Sequence, residues 1–197
     1  MSIEPNVDRR TELLEAIVDV LLEDGIADLS LRPLAERVGS SARLLIYHFG
    51  SKEDLLAAAL AQVRARIAGE LKVLAQTDSS ASLGAALTRF WRWATAEPNQ
   101  KYFRLLFEIG GLAMHDQLRF STQARNEGTS VWLNLIRNAE ALSGPSAAAP
   151  PGRTTLIWAT IAGLLQDFLT TGDRARTTEA LQYFLGLIAK DDQARAE

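Results

Sequence analysis

The sequence predicts an all-α protein: an N-terminal three-helix helix-turn-helix domain over residues 1–52, then a larger helical domain over 53–197. Three observations carry this expectation. Apolar residues recur at three-to-four spacing in segment after segment, which is the period of a helix with one buried face. No segment alternates apolar and polar residues between turns, as strands do. Between Leu31 and Leu56, small, apolar and glycine positions fall where two closely crossed helices and a tight turn require them.

The elements follow in order. From Arg10 to Glu23, Leu13, Leu14, Ile17, Val18 and Leu21 form an amphipathic stripe, and Gly25 ends it. Ser30 precedes a second helix with Pro33 in its first turn, where a missing N–H is harmless. Leu34 and Val38 supply its core face, and Ala35 is small where the next helix crosses. Gly39 meets the turn's need for a left-handed backbone. Ser41 then starts a short helix, about Ala42 to His48, with Leu45 facing inward. Ser51-Lys52-Glu53-Asp54 resembles a capping box and opens a long helix to about Gln76, carrying Leu55, Leu56, Ala59, Leu60, Val63 and Ile67.

Beyond it, Ser79 or Ser80 caps a helix with Leu83, Leu87, Phe90, Trp91 and Ala94, and Pro98 breaks or restarts the chain. A helix holding Phe103, Leu106 and Phe107 is expected to stop at Gly110-Gly111. A long one follows from His115 to Leu142, with Gly128 as a bend. Three prolines and two glycines make 143–152 a loop. Two closing helices run over Thr154–Thr171 and Arg174–Lys190. Both are apolar around more than one face, so Trp158, Ile161, Leu165, Phe168, Leu181, Phe184, Leu185 and Ile188 are expected either to pack against a second copy or to form the core of one copy.

Composition narrows the function. With 197 residues and 47% hydrophobic content the chain can bury a substantial core, and with no cysteine and two histidines neither a disulfide framework nor a metal cluster is expected. No cofactor is expected. There is no glycine-rich phosphate loop, Gly-x-Ser-x-Gly elbow, paired-histidine motif or cysteine nucleophile, which argues against an enzyme. The N-terminus lacks the basic and apolar regions of a signal peptide, and no apolar stretch reaches membrane-spanning length, so a cytoplasmic location is expected. Twenty-one basic against 24 acidic residues give a net charge of −3, acidic for a nucleic-acid binder. Glu12, Glu15, Asp19 and Glu23 share a helical face that would turn from DNA, leaving Arg9, Arg10, Arg32, Arg43 and Lys52 near it.

The spacing of the head makes double-stranded DNA the expected partner. Arg43 is the preferred base reader, since a guanidinium can donate a bidentate pair to guanine; Ser41 and Ala42 would approach neighbouring bases, and Leu44 a thymine methyl. Tyr47, His48 and Lys52 read as phosphate contacts, with Ser30 and Arg32 secondary, although Tyr47 and His48 are equally consistent with packing inside the head.

From about Arg10 to Leu56 the chain resembles the DNA-binding domain of the tetracycline-repressor (TetR) family. The resemblance lies in Glu23-Asp24-Gly25, Leu34-Ala35, Val38-Gly39-Ser40-Ser41 and Tyr47-His48-Phe49-Gly50-Ser51-Lys52-Glu53-Asp54-Leu55-Leu56. Ile46 departs from the family's usual tyrosine, and Arg43-Leu44 from a small residue and threonine, so family contacts at those places do not transfer. The resemblance implies that residues 53–197 form a ligand-binding and dimerisation domain, in a homodimer that binds a palindromic operator; the first expectation is a repressor released by a small-molecule inducer, the alternative an activator. It also implies a pocket beyond the head, for which Phe90, Trp91, Phe103, Phe107, Trp132 and Trp158 are the natural lining, unless they are simply core; His115, Asn134, Glu108 and Gln166 are candidate polar partners. The competing expectation is an all-α small-molecule-binding or scaffolding protein whose head has lost DNA binding.

Overall fold

The computed structural model describes residues 5–26, 29–76, 82–115, 118, 120, 122–142, 150 and 152–196. Among the described residues every regular element is a helix. In chain order these are α1 (Pro5–Asp24), α2 (Leu31–Arg37), α3 (Ala42–Phe49), α4 (Lys52–Gln76), α5 (Leu83–Ala94), α6 (Glu97–Met114), α7 (Thr122–Leu142), α8 (Arg153–Thr171) and α9 (Arg174–Ala196). They form two compact units, residues 1–67 with 104–128, and residues 68–103 with 129–197. The expected domain boundary at residue 52 therefore marks the start of α4, and α4 and α6 each contribute to both units.

In the first unit the apolar stripes land inside. Leu13, Ile17, Val18 and Leu21 of α1, Leu34 and Ala35 of α2, Leu45 and Phe49 of α3, and Leu55, Leu56, Ala59, Val63 and Ile67 of α4 are all buried. The acidic face of α1 has a structural use. Arg66 of α4 hydrogen-bonds Glu15 and, at 2.7 Å, Asp19, while Gln62 also bonds Glu15. Burial works against the Arg66 charge, but the hydrogen bonds it donates to Glu15 and Asp19, with the charges of both carboxylates, outweigh it and raise its pKa. At the end of α1, Arg37 of α2 pairs with Glu23 at 3.3 Å and with Asp24. These carboxylates pin α4 and α2 to α1.

Gly25 ends α1 with φ +73°, and the turn after it is closed by Glu108 of α6, whose Oε1 accepts from the Ile26 N–H at 3.1 Å. The positive φ favours glycine at 25, and a Cβ there would lie 2.7 Å from Glu108 Oε2, so a larger residue would also have to displace that carboxylate.

Several helix ends differ from expectation. α6 runs through Gly110-Gly111 to Met114, because neither glycine takes the positive φ that terminates a helix. α5 starts with Ser82 as its cap, Oγ accepting from the Ala85 N–H at 3.2 Å; Ser79 and Ser80 lie outside the described residues. α7 begins at Thr122 rather than His115, and α9 continues to Ala196 rather than stopping at Lys190. Most of the expected loop over 143–152 lies outside the described residues.

In the second unit α8 buries Thr154, Ile157, Ile161, Leu165 and Phe168, and α9 buries Thr177, Leu181 and Ile188. Arg153, itself mostly buried, bonds Glu140 at 2.9 Å and Asp192 at 2.5 Å, tying the start of α8 to α7 and to the end of α9. At the other end Arg176 makes a bidentate pair with Asp167, both bonds 2.8 Å, across the α8–α9 turn.

Within this packing the residues expected either at a second copy or in the core of one copy fall into two groups. Ile161, Leu165, Phe168, Leu181 and Ile188 are core residues of one copy, and Trp158, Phe184 and Leu185 are half-buried. The apolar side chains that α8 and α9 expose are Leu156 (61%), Tyr183 (74%) and Leu187 (47%). Helical periodicity explains the difference: residues 157, 161, 165 and 168 share one stripe, while Leu156, Ala159 and Gly163 share the opposite one.

Candidate nucleic-acid interface and ligand cavity

α2 and α3 are joined by a turn in which the Ser40 N–H reaches the Ala35 carbonyl at 2.8 Å and Gly39 takes φ +62°. Ser41 then adopts an extended backbone and its Oγ accepts from the Leu44 N–H at 3.2 Å, satisfying one open donor at the start of α3. Gly50 ends α3 with φ +89°, and Ser51 caps α4, accepting from the Asp54 N–H at 3.0 Å and donating to the Asp54 carboxylate at 2.7 Å. The short helix is thus fixed at both ends. With Leu45 and Phe49 inward, its outer face presents Arg43, Ile46 and Tyr47.

Of the expected contact residues, Arg43 is exposed and makes no hydrogen bond or ion pair among the described residues. Tyr47 is 70% exposed, so it is not part of the head's core. His48 is half-buried between the rings of Tyr47 and Phe49, with centroids at 5.2 and 6.4 Å, and its carbonyl accepts from Arg10 Nε at 3.2 Å. Ala42 and Leu44 are half-buried flank positions, and Ser30 and Ser41 are exposed at the helix starts.

The basic footprint is narrower than the sequence suggested. Arg9 pairs with Glu12 and Arg32 with Glu36; Arg10 lies over the Phe49 ring, 4.9 Å from its centroid. Lys52 Nζ donates to the Leu29 carbonyl at 2.6 Å, leaving two N–H groups for a phosphate. Ile46, 40% exposed between Arg43 and Tyr47, belongs to the same surface. The sequence reading passed over it as a contact, although its place three residues after Arg43 on a helix is the signal that finds it.

The first unit also contains a cavity of about 380 Å³. Its walls are Ala57, Ala58, Leu60, Ala61 and Arg64 on α4, Leu106, Ile109, Gly110 and Ala113 on α6, and Phe120. None of the six aromatic residues expected to line a pocket does so here. Phe90, Phe103, Trp132 and Trp158 instead pack on one another in the second unit, Trp132 stacked on Trp158 at 4.5 Å and Phe103 edge-on to Phe90 at 5.8 Å. Trp91 is buried beside Phe168, and its Nε1–H donates to Thr178 Oγ1 at 2.9 Å. Phe107 is half-buried in the first unit. The candidate polar partners do not converge either: Glu108 closes the turn after α1, Asn134 accepts from Arg137, and His115 and Gln166 are exposed.

A short capped helix presented after a glycine turn on a three-helix tip defines a helix-turn-helix protein. Residues 13–59, about a quarter of the chain, match the bacterial regulatory proteins of the tetR family. Over 55 residues it is 34% identical to the HTH-type transcriptional regulator BetI 1 of Chromohalobacter salexigens, an alignment that spans 28% of this chain and 27% of that relative. The fold is shared along almost the whole chain. A candidate TetR-family transcriptional regulator from Rhodococcus sp. superposes with a TM-score of 0.72 at 25% identity, covering 93% of this chain and 97% of the other. The multidrug binding protein EbrR, solved with ethidium, superposes with a TM-score of 0.68 at 22% identity over 92% and 97% of the two chains. Among the described residues no helix is long and apolar enough to cross a membrane.

Proposed function

We propose that the chain is a ligand-responsive, DNA-binding transcriptional regulator of the cytoplasm, most simply a repressor that binds a palindromic operator as a homodimer and leaves it when a small molecule binds. The observation that carries this is α3 itself: capped at both ends, with an unpaired Arg43 beside Ile46 and Tyr47 on its outer face. An unpaired guanidinium is available for the two acceptors of a guanine edge, and an exposed isoleucine for a thymine methyl. Tyr47, His48 and Lys52 set the register on phosphates.

A helix of eight residues reads only a few base pairs. Two copies related by a two-fold axis give a second reading head and require a two-fold operator. The exposed Leu156, Tyr183 and Leu187 support a second copy on the outer faces of α8 and α9.

Release follows from where the cavity lies. Five of its wall residues, Ala57, Ala58, Leu60, Ala61 and Arg64, occupy α4 within about three turns of its start, and only two residues separate α4 from α3. A ligand that fits only one setting of α4 shifts the population of head positions, provided it binds the non-operator state more tightly. That a protein of the same fold is solved with ethidium supports small-molecule binding in this architecture.

Selection of purified protein on random duplex DNA, followed by gel shift at two salt concentrations, tests the reading. The expected product is a two-fold symmetric consensus whose affinity falls only moderately with salt, because few phosphates are neutralised. Failure to enrich any sequence would overturn it.

A further inference from the structure

We propose that Arg10 is a positioning residue for α3: its guanidinium holds the C-terminal end of that helix, and so governs which sequence the head prefers rather than neutralising a phosphate. This deepens the DNA-binding reading above and rests on it. The sequence groups Arg10 with the cations near DNA, whereas the fold turns its side chain onto the last turn of α3. Nε donates to the His48 carbonyl at 3.2 Å, across 38 residues of chain, and Cζ lies 4.9 Å from the centroid of the Phe49 ring. The last carbonyls of a helix lack an intrahelical donor and carry the negative end of its dipole, so a cation that donates there gains twice. Phe49 is 7% exposed and anchored in the head, and its ring face attracts the same cation.

The opposite end of α3 is already fixed, by the Ser41 cap and by the bond from the Ser40 N–H to the Ala35 carbonyl. At the far end the chain leaves through Gly50, whose N–H is spent on the Ile46 carbonyl at 2.8 Å, and Arg10 ties that end to α1. α3 has eight residues. In a helix of that length a tilt of about 10° about Ser41 carries the far end through roughly 2 Å, whereas a hydrogen bond to a base edge tolerates only about a few tenths of an ångström. Arg43 stands near the pivot, while Ile46 and Tyr47, both exposed, stand near the moving end. Loss of Arg10 should therefore cost most at the base pair that Ile46 faces. Arg9, the adjacent cation, pairs instead with Glu12 of its own helix at 3.2 Å and serves as a control.

Gel-shift titration of the full-length chain on the duplex enriched by selection and on random-sequence duplex, at several salt concentrations, tests this. Arg10→Met should lower the ratio of the two affinities about threefold or more, the scale of an exposed cation–π contact, with the salt slope unchanged. Phe49→Leu, which removes the ring and leaves every charge in place, should lower the ratio too, and the double variant should lose little more than either single one. Arg10→Lys, which keeps a cation and a donor, should recover part of the loss; Arg9→Met should leave the ratio as it is. A salt slope lower by about one charge at an unchanged ratio would make Arg10 a phosphate contact, and a lower melting temperature at an unchanged ratio would make it a brace for the fold alone; either overturns the proposal. Amide hydrogen exchange of the DNA-free chain keeps the two readings apart. Residues 45–50 should exchange about threefold faster or more in Arg10→Met, with α2 unchanged. Unaltered exchange with operator binding intact sinks the positioning role alone. Failure to enrich any duplex sinks the regulator reading, and altered exchange then shows Arg10 holding α3 with no sequence to govern.

Discussion

Arg43 and Lys52 are both cations of the helix-turn-helix head, and the proposed DNA-binding reading gives them different work because their surroundings differ. Arg43 projects from the outer face of α3 with no protein partner among the described residues, whereas Lys52 is already anchored on the Leu29 carbonyl. Arg43→Ala should therefore cost roughly 1–3 kcal/mol of affinity, concentrated at one base pair of the operator, as competition with single-substituted operators would show. Lys52→Ala should weaken binding to every sequence alike and lower the salt slope by about one charge. Equal losses for Arg43→Ala across all operator variants would reassign it to the backbone. The glycines make a second residue-scale contrast. Gly39 has φ +62° with nothing within 4 Å of an added Cβ, so Gly39→Ala should lose only the left-handed strain, roughly 1–2 kcal/mol. Gly25→Ala adds a collision with the Glu108 carboxylate to the same strain and should lose more, with the Ile26 hydrogen bond displaced. Chemical denaturation of the two variants would rank them.

At the scale of elements, the α8–α9 turn is held by an exposed ion pair whose pH dependence has a definite sign. Hydrogen bonding from Arg176 holds the Asp167 carboxyl below its ordinary range, partial desolvation opposing it and the Arg176 charge adding to it. A carboxyl depressed in the folded state contributes stability at neutral pH and loses it as the pH falls through its lowered pKa. Asp167→Asn should accordingly melt slightly below the parent at pH 7, a small difference because the pair is solvent-exposed, and the two melting curves should converge in strong acid. The same scale shows what the sequence could convey. Stripes with one buried face, such as Leu55, Leu56, Ala59, Val63 and Ile67, and caps such as Ser41 and Ser51, are local patterns, and they appear in the structure where the spacing puts them. The tetR-like head was legible for that reason. Helix ends were less so, because Gly110-Gly111 stop a helix only by taking positive φ, which the residue type permits and does not compel. The cavity was not legible at all: alanines and a glycine on two helices far apart in sequence make it, while the conspicuous aromatics Phe90, Phe103, Trp132 and Trp158 serve to fill space together.

At the scale of the whole molecule the open quantity is the second copy, and the packing of α8 and α9 determines how to probe it. A helix apolar on all sides looks like an interface throughout, but most of those side chains are already spent on one copy's core: Ile161, Leu165 and Leu181 are at most 2% exposed. Substituting them would unfold the protomer and say nothing about association. Tyr183 and Leu187 lie one turn apart on α9, both exposed, and Leu156 is exposed on α8. A charge there leaves the protomer's core intact and places unpaired charge wherever a second copy would bury it. Leu187→Glu combined with Tyr183→Glu should keep the helical content and melting cooperativity of one copy but sediment as a monomer. On the proposed dimeric reading, operator affinity should then fall at least about tenfold while the weak binding to a single half-site persists. A double variant that stays dimeric and binds the full operator as the parent does would place the interface elsewhere on the chain.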